Sequence, residues 1–480
     1  MIQEFLEAIL NPLSAVLNFL FLGGTLSFLG DFAIAPFGFP PLVLWLLGAG
    51  IFFTFKLGFI NFRLFKHGID CVRGKYSSKD DPGSVTHFQA LSTAVSATVG
   101  LGNIGGVAIA VTLGGPGAVI WMMIAAFFGM STKFAEVTLG QKYRHINHEG
   151  EAYGGPFLYL KEGLKEIGKA KLGAILSVIF AIMCITGGLG SILFQSNQSI
   201  SLLTNSFSFF NGQEVLLSII IATLAGVVIM GGIKRIALFA EMVVPFMAII
   251  YVTACIVVIA VNAENLGSAI SLMFSDAFTG AAVGGGIVGA ILNGVKRSAF
   301  SNEAGMGTAP IAHATAKTKE PVREGAVSLL EPFLDTIIIC FMTGIVVTIT
   351  GTYIGADLNS GGVLITSRSF ATVIEWFPKV LSVATLLFAF STMITYCYYG
   401  EQAWQFIKGH KHLKLIHGVF IFFIFIGGVI SLETVISLAD TLFLLMAIPN
   451  IFGMYFLTGI LTKETKSYIA RLKAGEFKKH

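Results

Sequence analysis

A run of glycines interrupts one of the apolar stretches of the chain. Residues 99–106 read Val-Gly-Leu-Gly-Asn-Ile-Gly-Gly and lie inside the apolar segment 87–112. A helix in a bilayer satisfies its own backbone groups, so a break at mid-span frees carbonyls and amides that need a cavity or a ligand. Freed carbonyls can coordinate Na⁺, and helix N-termini can bind carboxylates. Helix packing through small residues is the alternative, but it places them four apart rather than consecutively.

The segment 279–315 carries a second set of interruptions and is too long for a single span. It holds a glycine triplet at 284–286, and residues 301–307 read Ser-Asn-Glu-Ala-Gly-Met-Gly. This second stretch offers hydroxyl, amide and carboxylate groups. The alternative is a cytoplasmic loop with a helix cap at Ser301 or Asn302. The sequence does not decide which glycine group breaks the helix.

Polar side chains also enter two uninterrupted segments. Residues 195–199 read Gln-Ser-Asn-Gln-Ser, and residues 391–399 contain five hydroxyl side chains before the final tyrosine. Polar groups inside a span face either a site or a neighbouring helix. The hydroxyls of the second run are candidate ligands for Na⁺, and the alternative is that they bond back to their own helix.

Few ionisable residues lie within the apolar segments. Lys133 and Glu136 are three apart, which predicts an ion pair on one helix face. Glu303 and Asp335 are the candidates for proton binding, because ionisable groups within a membrane are expensive unless they have a function. His313 has no obvious acidic partner in the sequence.

The chain lacks the local motifs of soluble catalysis and of metal binding. It contains no Walker, G-x-S-x-G, H-E-x-x-H or C-x-x-C motif. Its five cysteines are therefore predicted to be small apolar fillers rather than disulfide or zinc partners. We expect no enzymatic activity and no organic cofactor.

The composition places most of the chain in a lipid environment. Charged residues make up 12% of the 480, while 55% are apolar and the mean hydropathy is +0.80. Soluble domains carry about 25% charged residues. The net charge of +4 is too small for a nucleic-acid binder, and disordered chains are poor in apolar residues. The composition predicts an all-α integral membrane protein with the lipid bilayer as its partner, no nucleic acid and no evident obligate protein partner.

Eleven apolar segments are long enough to cross a bilayer. They lie at 41–60, 87–112, 117–140, 173–203, 214–232, 237–262, 279–315, 325–352, 380–405, 415–431 and 434–461. Residues 1–40 are predicted to form an interfacial or re-entrant segment, with a twelfth span as the alternative. Residues 463–480 are predicted to form a basic tail.

The loops between these segments alternate in charge. Of the 31 lysines and arginines, 27 fall on one side of the predicted membrane and two on the other. The positive side is cytoplasmic. We therefore predict a multi-pass plasma-membrane protein whose first firm span begins outside and whose C-terminus is cytoplasmic.

The two interrupted segments are the second and the seventh, five spans apart. Repeats with an odd number of spans are inverted relative to each other, which is the layout of the inverted-repeat transporters. We predict a transporter domain over 41–462, with a leading span at 41–60, one repeat at 87–262 and a second at 279–461.

Four blocks of the sequence resemble the alanine or glycine:cation symporter family of bacterial amino-acid carriers. The blocks lie at 90–104, 114–129, 194–198 and 300–310, and the resemblance extends over about 41–461. It implies a LeuT-type 5+5 inverted repeat with one extra N-terminal transmembrane helix. It further implies Na⁺-coupled uptake of a small neutral amino acid, alanine or glycine, across the bacterial inner membrane by alternating access.

The resemblance also implies which residues form the site. Residues 99–103 resemble the unwound first core helix of neurotransmitter-type sodium symporters. By that likeness the backbone around Ser96 and Val99 and the hydroxyls of Ser391 and Thr392 hold Na⁺. The substrate-binding residues implied are Thr98, Gly100, Leu101, Gly102, Asn103, Gln195, Ser301, Asn302 and Tyr396.

At Tyr396 the chain departs from the family pattern. A tryptophan that caps the side-chain pocket is expected there in members that take alanine and glycine. A tyrosine is smaller and adds a hydroxyl, so a larger neutral substrate such as glutamine is one alternative. A proton-coupled carrier that uses Glu303 or Asp335 is the other.

Overall fold

The computed structural model describes residues 3, 6–7, 10, 41–78, 80–148, 150–229, 232–279, 286–356 and 361–477. The described part is almost entirely helical; its strands are β1 (His145–Ile146) and β2 (Ala152–Tyr153), which pair antiparallel. The predicted interfacial or re-entrant segment 1–40 lies outside the described residues, apart from four helical positions at 3, 6, 7 and 10. Glycines 284 and 285 also lie outside them.

The main helices are numbered in chain order. They are α1 Pro41–Lys56, α2 His87–Thr98, α3 Val107–Gly114, α4 Gly117–Lys142, α5 Ala170–Ser206, α6 Glu214–Ile229, α7 Gly232–Val261, α8 Ala263–Thr279, α9 Gly286–Asn302, α10 Ala309–His313, α11 Pro321–Ser328, α12 Phe341–Thr350, α13 Gly362–Ala371, α14 Phe377–Lys408, α15 Leu413–Gly427, α16 Leu432–Leu444 and α17 Ala447–Lys473. Shorter helical turns lie at Ile60–Arg63, Phe65–Val72, Pro156–Leu158, Leu164–Glu166, Ser208–Phe210 and Leu330–Pro332, and π-helical turns at Gly102–Gly106, Tyr159–Gly163 and Phe333–Cys340.

Several of these helices are membrane spans by length and composition. Among the described residues, six helices qualify, and the bent pair α2–α3 makes up to seven. Shorter apolar helices occur at Leu42–Lys56, Glu214–Ile229 and Leu413–Gly427. A span needs about 20 apolar residues when it is straight and unbroken, so bent and short helices escape that criterion. The all-α membrane fold is confirmed, whereas the count of eleven spans stays a prediction.

The first interrupted span is a bent helix pair. Helix α2 ends at Thr98, and Val99 is extended, with φ −76° and ψ 92°. The chain then passes through the π-helical turn Gly102–Gly106 into α3, and the two halves bend by 51°. The predicted break at the glycine run is confirmed.

The second interruption lies at residues 303–308, between α9 and α10. Glu303, Gly305 and Gly307 have φ of 58°, 93° and 78°. Glycine takes this left-handed backbone readily, whereas glutamate rarely does. Gly294, by contrast, lies inside α9. Within the described residues, a break therefore lies at 303–308, in the family-like stretch that begins at Ser301. Gly284 and Gly285 lie outside the described residues, so the structure does not test the glycine triplet as a second break.

The helices pack in two groups. Helix α4 packs along α9, α10 and α11, and we call these four helices the bundle. Helix α5, with 37 residues, packs along α14, α15 and α16, and we call these the scaffold. Glycine allows the closest approaches: a Cβ on Gly294 would lie 2.5 Å from the carbonyl oxygen of Ala118. Helix α2 contacts both α10 of the bundle and α14 of the scaffold.

One end of the molecule carries a clamp made by Arg144. Its guanidinium donates to four carbonyl oxygens, two in residues 314–316 and one each at 82 and 318, over 2.6–2.9 Å. Burial lowers the pKa of Arg144, but an arginine still keeps its proton at neutral pH. Backbone bonds between 84–85 and 315–317 join the same loops. The loop before α2 is thereby tied to the loop before α11.

The apolar pattern did not predict α13, because it has only 10 residues and carries a polar stretch, Thr-Ser-Arg-Ser, in its middle. Thr366 donates to the carbonyl of Ile104 over 2.8 Å. The amide of Val363 donates to the side chain of Gln198 over 3.2 Å. Helix α13 therefore lies directly on the first break.

Candidate functional site

Side chains bond the backbone amides of the first break. The amide of Gly100 donates to Oδ1 of Asn103 over 2.9 Å, and that of Leu101 donates to Oε1 of Gln195 over 3.1 Å. A Cβ on Gly100 would lie 2.9 Å from both Gln195 and Thr392. The break therefore presents its amides toward α5 and α14, and a side chain at position 100 would displace Gln195 and Thr392.

Hydroxyl groups of α14 face the end of α2. Thr392 donates to the carbonyl of Ser96 over 2.8 Å, and the hydroxyls of Thr395 and Ser96 are 2.9 Å apart. Ser391 bonds back to Phe388 in its own helix over 2.9 Å. Two of the predicted sodium ligands, Ser96 and Thr392, are thus in direct contact. Thr395 belongs to the hydroxyl run that the sequence offered for Na⁺, although it is not among the four sodium ligands that the resemblance implied.

A buried carboxylate connects the two broken helices. Asp335, in the π-helical turn before α12, accepts hydrogen bonds from Asn103, from Ser301 at 2.6 Å and from Thr336 at 2.7 Å. The thiol of Cys340 lies 3.1 Å from Ser301 in the same cluster. Among the described residues, the side chains bonded to this carboxylate are an amide and two hydroxyls and include no cation. An anion so placed offers a cation an oxygen-lined site.

The predicted substrate residues are therefore divided between two places. Asn103 and Ser301 meet at Asp335, whereas Leu101 and Gln195 meet at the amides of the first break. The sequence named Asp335 only as a candidate for proton binding. Its contact with residues 232 and 34 positions away has no local signal.

Four aromatic rings form an apolar surface beside the first break, which we call the aromatic wall. A Cβ on Gly102 would lie 3.5 Å from the ring of Phe300. Phe300 packs against Phe194 and Phe443, with ring centroids 5.2 and 4.9 Å apart, and Tyr396 lies 6.1 Å beyond Phe443. Phe194 and Phe300 begin two of the family-like blocks, whereas nothing in the sequence singled out Phe443.

Tyr396 also reaches the second break. Its hydroxyl donates to one carboxylate oxygen of Glu303, and the hydroxyl of Thr308 donates to the other. All three side chains are buried. The residue predicted to cap the pocket is therefore bonded to a bundle carboxylate as well as packed in the aromatic wall.

Two further predicted residues have mainly local contacts. The amide of Asn302 donates to Ser298 and Thr336 over 2.9 and 3.1 Å, and its oxygen accepts from the backbone of Ala304. The hydroxyl of Thr98 bonds back to Val95 over 3.3 Å. Asn302 therefore stabilises the second break itself, and the predicted roles of both residues in substrate binding stay predictions.

A chain of five buried ionisable side chains runs through the bundle and α2, and we call it the buried ion chain. Lys133 lies 3.0 Å from Glu331, whose other oxygen is 3.7 Å from His313. His313 lies 2.6 Å from Glu324, which also pairs with His87. Each residue comes from a different helical segment, so the chain ties these segments together.

The buried ion chain corrects two expectations from the sequence. The predicted pair of Lys133 with Glu136 is wrong, since Lys133 pairs with Glu331. His313 does have acidic partners, Glu324 and Glu331.

Glu136 and Asn450 hold the second break together. One oxygen of Glu136 accepts from the amide of Gly307 over 3.1 Å and from Asn450 over 2.6 Å. Asn450 also donates to the carbonyl of Gly305 over 2.8 Å. These bonds satisfy backbone groups that the break frees, which a span within a bilayer requires.

Two broken helices that meet inside a helical bundle define a class of membrane transporter. The chain aligns with the crystal structure of MhsT in complex with L-phenylalanine with a TM-score of 0.57, over 81% of this chain and 99% of that one, at 14% identity. This likeness shows the fold, which is the LeuT type.

Sequence comparison then gives the family. The sodium:alanine symporter family matches residues 27–480. The sodium/alanine symporter AgcS of Methanococcus maripaludis is 40% identical over 89% of this chain and 94% of its own length. The probable sodium/glutamine symporter GlnT of Bacillus subtilis is 35% identical over 91% and 89%. The chain belongs to the sodium:alanine symporter family, and it is a transporter rather than an enzyme.

Proposed function

We propose that this carrier moves a small neutral amino acid, alanine or glycine, into the cell together with Na⁺. Asn103 supports this proposal most directly. Its side-chain oxygen accepts from the amide of Gly100, and its side-chain nitrogen donates to Asp335. One side chain thus joins the amides that suit a substrate carboxylate to the carboxylate that suits a cation.

The substrate binds with its carboxylate at the first break. The backbone amides of Gly100 and Leu101 donate to the substrate carboxylate in place of the side-chain oxygens that now accept from them, and the side-chain amide of Gln195 supplies a further donor. The aromatic wall starts beside Gly102 and limits the size of the substrate side chain. The ring of Phe300 this close to the first break favours a compact amino acid.

Sodium binds where oxygen atoms of different helices converge. One cluster is formed by Ser96 and Thr392, with Val99 and Ser391 nearby in sequence and Thr395 as an additional hydroxyl. The other is centred on Asp335. A cation bound at Asp335 changes the contacts of Asn103, and Asn103 also accepts the hydrogen bond of the Gly100 amide. The cation and the amino acid therefore each favour the binding of the other. Such coupling is reciprocal in free energy.

The orientation of the carrier in the membrane follows from the loop charges, and an inward Na⁺ gradient then sets the direction of uptake. We place the basic loops and the C-terminus in the cytoplasm of a bacterial cell, with the first firm span starting outside. The bundle then rocks against the scaffold, so that the site opens to the two sides alternately. Tags at the C-terminus and in the loop before α14 test this orientation by their accessibility in intact cells.

Uptake into proteoliposomes tests the function. Labelled alanine should accumulate when a Na⁺ gradient points inward and should not accumulate when K⁺ replaces Na⁺. The matched comparison is a pH gradient without Na⁺. Uptake that follows the pH gradient and ignores Na⁺ would support the proton-coupled alternative through Glu303 or Asp335 and contradict sodium coupling.

A larger neutral substrate such as glutamine is the second candidate. Tyr396 in place of the expected tryptophan favours it, and so does the similarity to GlnT. Competition of unlabelled glycine, alanine and glutamine against labelled alanine separates the two. Stronger competition by glutamine than by alanine would assign the carrier to glutamine.

A further inference from the structure

The carboxylate of Glu303 is bound by two hydroxyls that belong to different parts of the fold. Thr308 lies in the same interruption of the bundle, whereas Tyr396 belongs to α14 of the scaffold. Glu303 itself has a left-handed backbone, with φ 58°, and is 2% exposed. A non-glycine residue in this conformation is uncommon and costs free energy, so its position is held by its surroundings.

The ring of Tyr396 is the end of the aromatic wall. It packs edge-on against Phe443 and Tyr399, with centroids 6.1 and 5.6 Å away. On its other side lies Gly188 of α5, where a Cβ would come within 3.4 Å of the ring. Packing therefore encloses the ring, which is 1% exposed, but it provides no acceptor for the phenol hydroxyl. The bond to Glu303 supplies the remaining constraint.

We propose that Glu303 is a positioning residue that holds Tyr396 in the aromatic wall and thereby sets the largest side chain that the carrier accepts. This proposal rests on the proposed function, since it concerns the substrate pocket of the same carrier. Glu303 acts through the ring of Tyr396 and does not contact the substrate.

The chemistry of the bond explains how it restricts the pocket. A hydroxyl bonded to a carboxylate makes a charge-assisted hydrogen bond, which is shorter and stronger than a neutral one. Loss of a bond to a charged group changes an equilibrium by about tenfold or more. Without it, the ring of Tyr396 is held by packing alone, and its movement away from Phe443 makes room for a larger substrate.

Substrate selectivity is the measurement that separates positioning from a general structural role. Tyr396→Phe keeps the ring and removes the hydroxyl, and Glu303→Gln keeps an acceptor for that hydroxyl. Glu303→Ala removes the acceptor. The matched control is Thr308→Val, which deletes the other hydroxyl on the same carboxylate and leaves Tyr396 bonded.

The experiment measures how well unlabelled glycine, alanine, threonine and glutamine inhibit uptake of labelled alanine. For Tyr396→Phe and Glu303→Ala, we expect glutamine to gain about tenfold relative to alanine. Glu303→Gln should retain most of the wild-type preference for alanine over glutamine, in contrast to Glu303→Ala. Thr308→Val should retain all of it. A wild-type order of inhibition in Tyr396→Phe, with only the maximal rate changed, would overturn the proposal.

Failure to fold does not decide the question. If Glu303→Ala is not recovered, Tyr396→Phe and Glu303→Gln still give the required contrast, because both keep the volume of the original side chain. If the wild type shows no Na⁺-driven uptake, the proposed function fails while the positioning role stays testable. Thermal shifts of the purified variants with the same four amino acids then report selectivity, and equal preferences in all variants would refute it.

Discussion

The ion pair of Lys133 with Glu331 makes the most direct test of how this carrier stabilises charge within its bundle. Nitrogen and oxygen are 3.0 Å apart, and both side chains have no solvent exposure. Lys133→Met removes the cation and keeps the length of the side chain. The only other cationic partner of Glu331 in the described residues is His313, whose nitrogen is 3.7 Å from the second oxygen.

The expected cost follows from the burial of both groups. Removing one partner of a buried pair leaves an uncompensated charge and costs about 3–5 kcal/mol. Replacing both partners removes that charge, so the double variant Lys133→Met with Glu331→Gln should recover a large part of the loss. His313 keeps Glu324 as its partner in the double variant.

The free energy of unfolding in mixed detergent micelles measures these costs. Lys142 and Glu464 form the matched control, because they are also a lysine–glutamate pair, 2.5 Å apart, but with 25% and 31% of their side chains exposed. Lys142→Met should cost only about 0.2–1 kcal/mol. Equal costs for Lys133→Met and Lys142→Met, or a double variant no more stable than Lys133→Met, would refute the reasoning.

Three further predictions concern the breaks and the clamp. Asp335→Asn keeps the size of the side chain and removes its charge, so the Na⁺ concentration for half-maximal uptake should rise about tenfold or more; an unchanged Na⁺ requirement would exclude Asp335 as a ligand. Gly100→Ala should lower alanine uptake strongly, because its Cβ would lie 2.9 Å from both Gln195 and Thr392 and would displace these two residues of the proposed site. Gly106→Ala, whose nearest neighbour would be 3.8 Å away, should keep the uptake, and similar activities in the two variants would contradict the crowding at position 100. Arg144→Gln should speed tryptic cleavage in residues 314–319, and an unchanged cleavage rate would show that the backbone bonds hold that loop without the clamp.

The sequence predicted the first break because its signal is local. Consecutive glycines in an apolar segment weaken a helix wherever the chain runs. The second break was ambiguous, since the glycine triplet at 284–286 competes with the stretch 301–307. The choice depends on Glu136 and Asn450, which receive the freed backbone groups and come from distant helices. An inspection of the sequence around residues 301–307 cannot identify these two partners.

Charged contacts were the least predictable part. The rule that residues three apart pair on a helix face suggested Lys133 with Glu136, but both point to different partners from other helices. In a low-dielectric interior the partner is decided by the packing of helices rather than by sequence distance. The same holds for the bond of Tyr396 to Glu303, which joins residues 93 positions apart.

The five cysteines, predicted to be apolar fillers, are all free and buried. Water-soluble thiol reagents should therefore label the natural cysteines poorly in this conformation. Single cysteines introduced at exposed positions can then be labelled without removing the natural ones. Cys340 adds a use of its own. Its sulfur lies 3.1 Å from Ser301 and 3.4 Å from Asn103, between the two broken helices. When the centre opens toward either side, this thiol becomes a natural reporter of which face of the membrane has gained access.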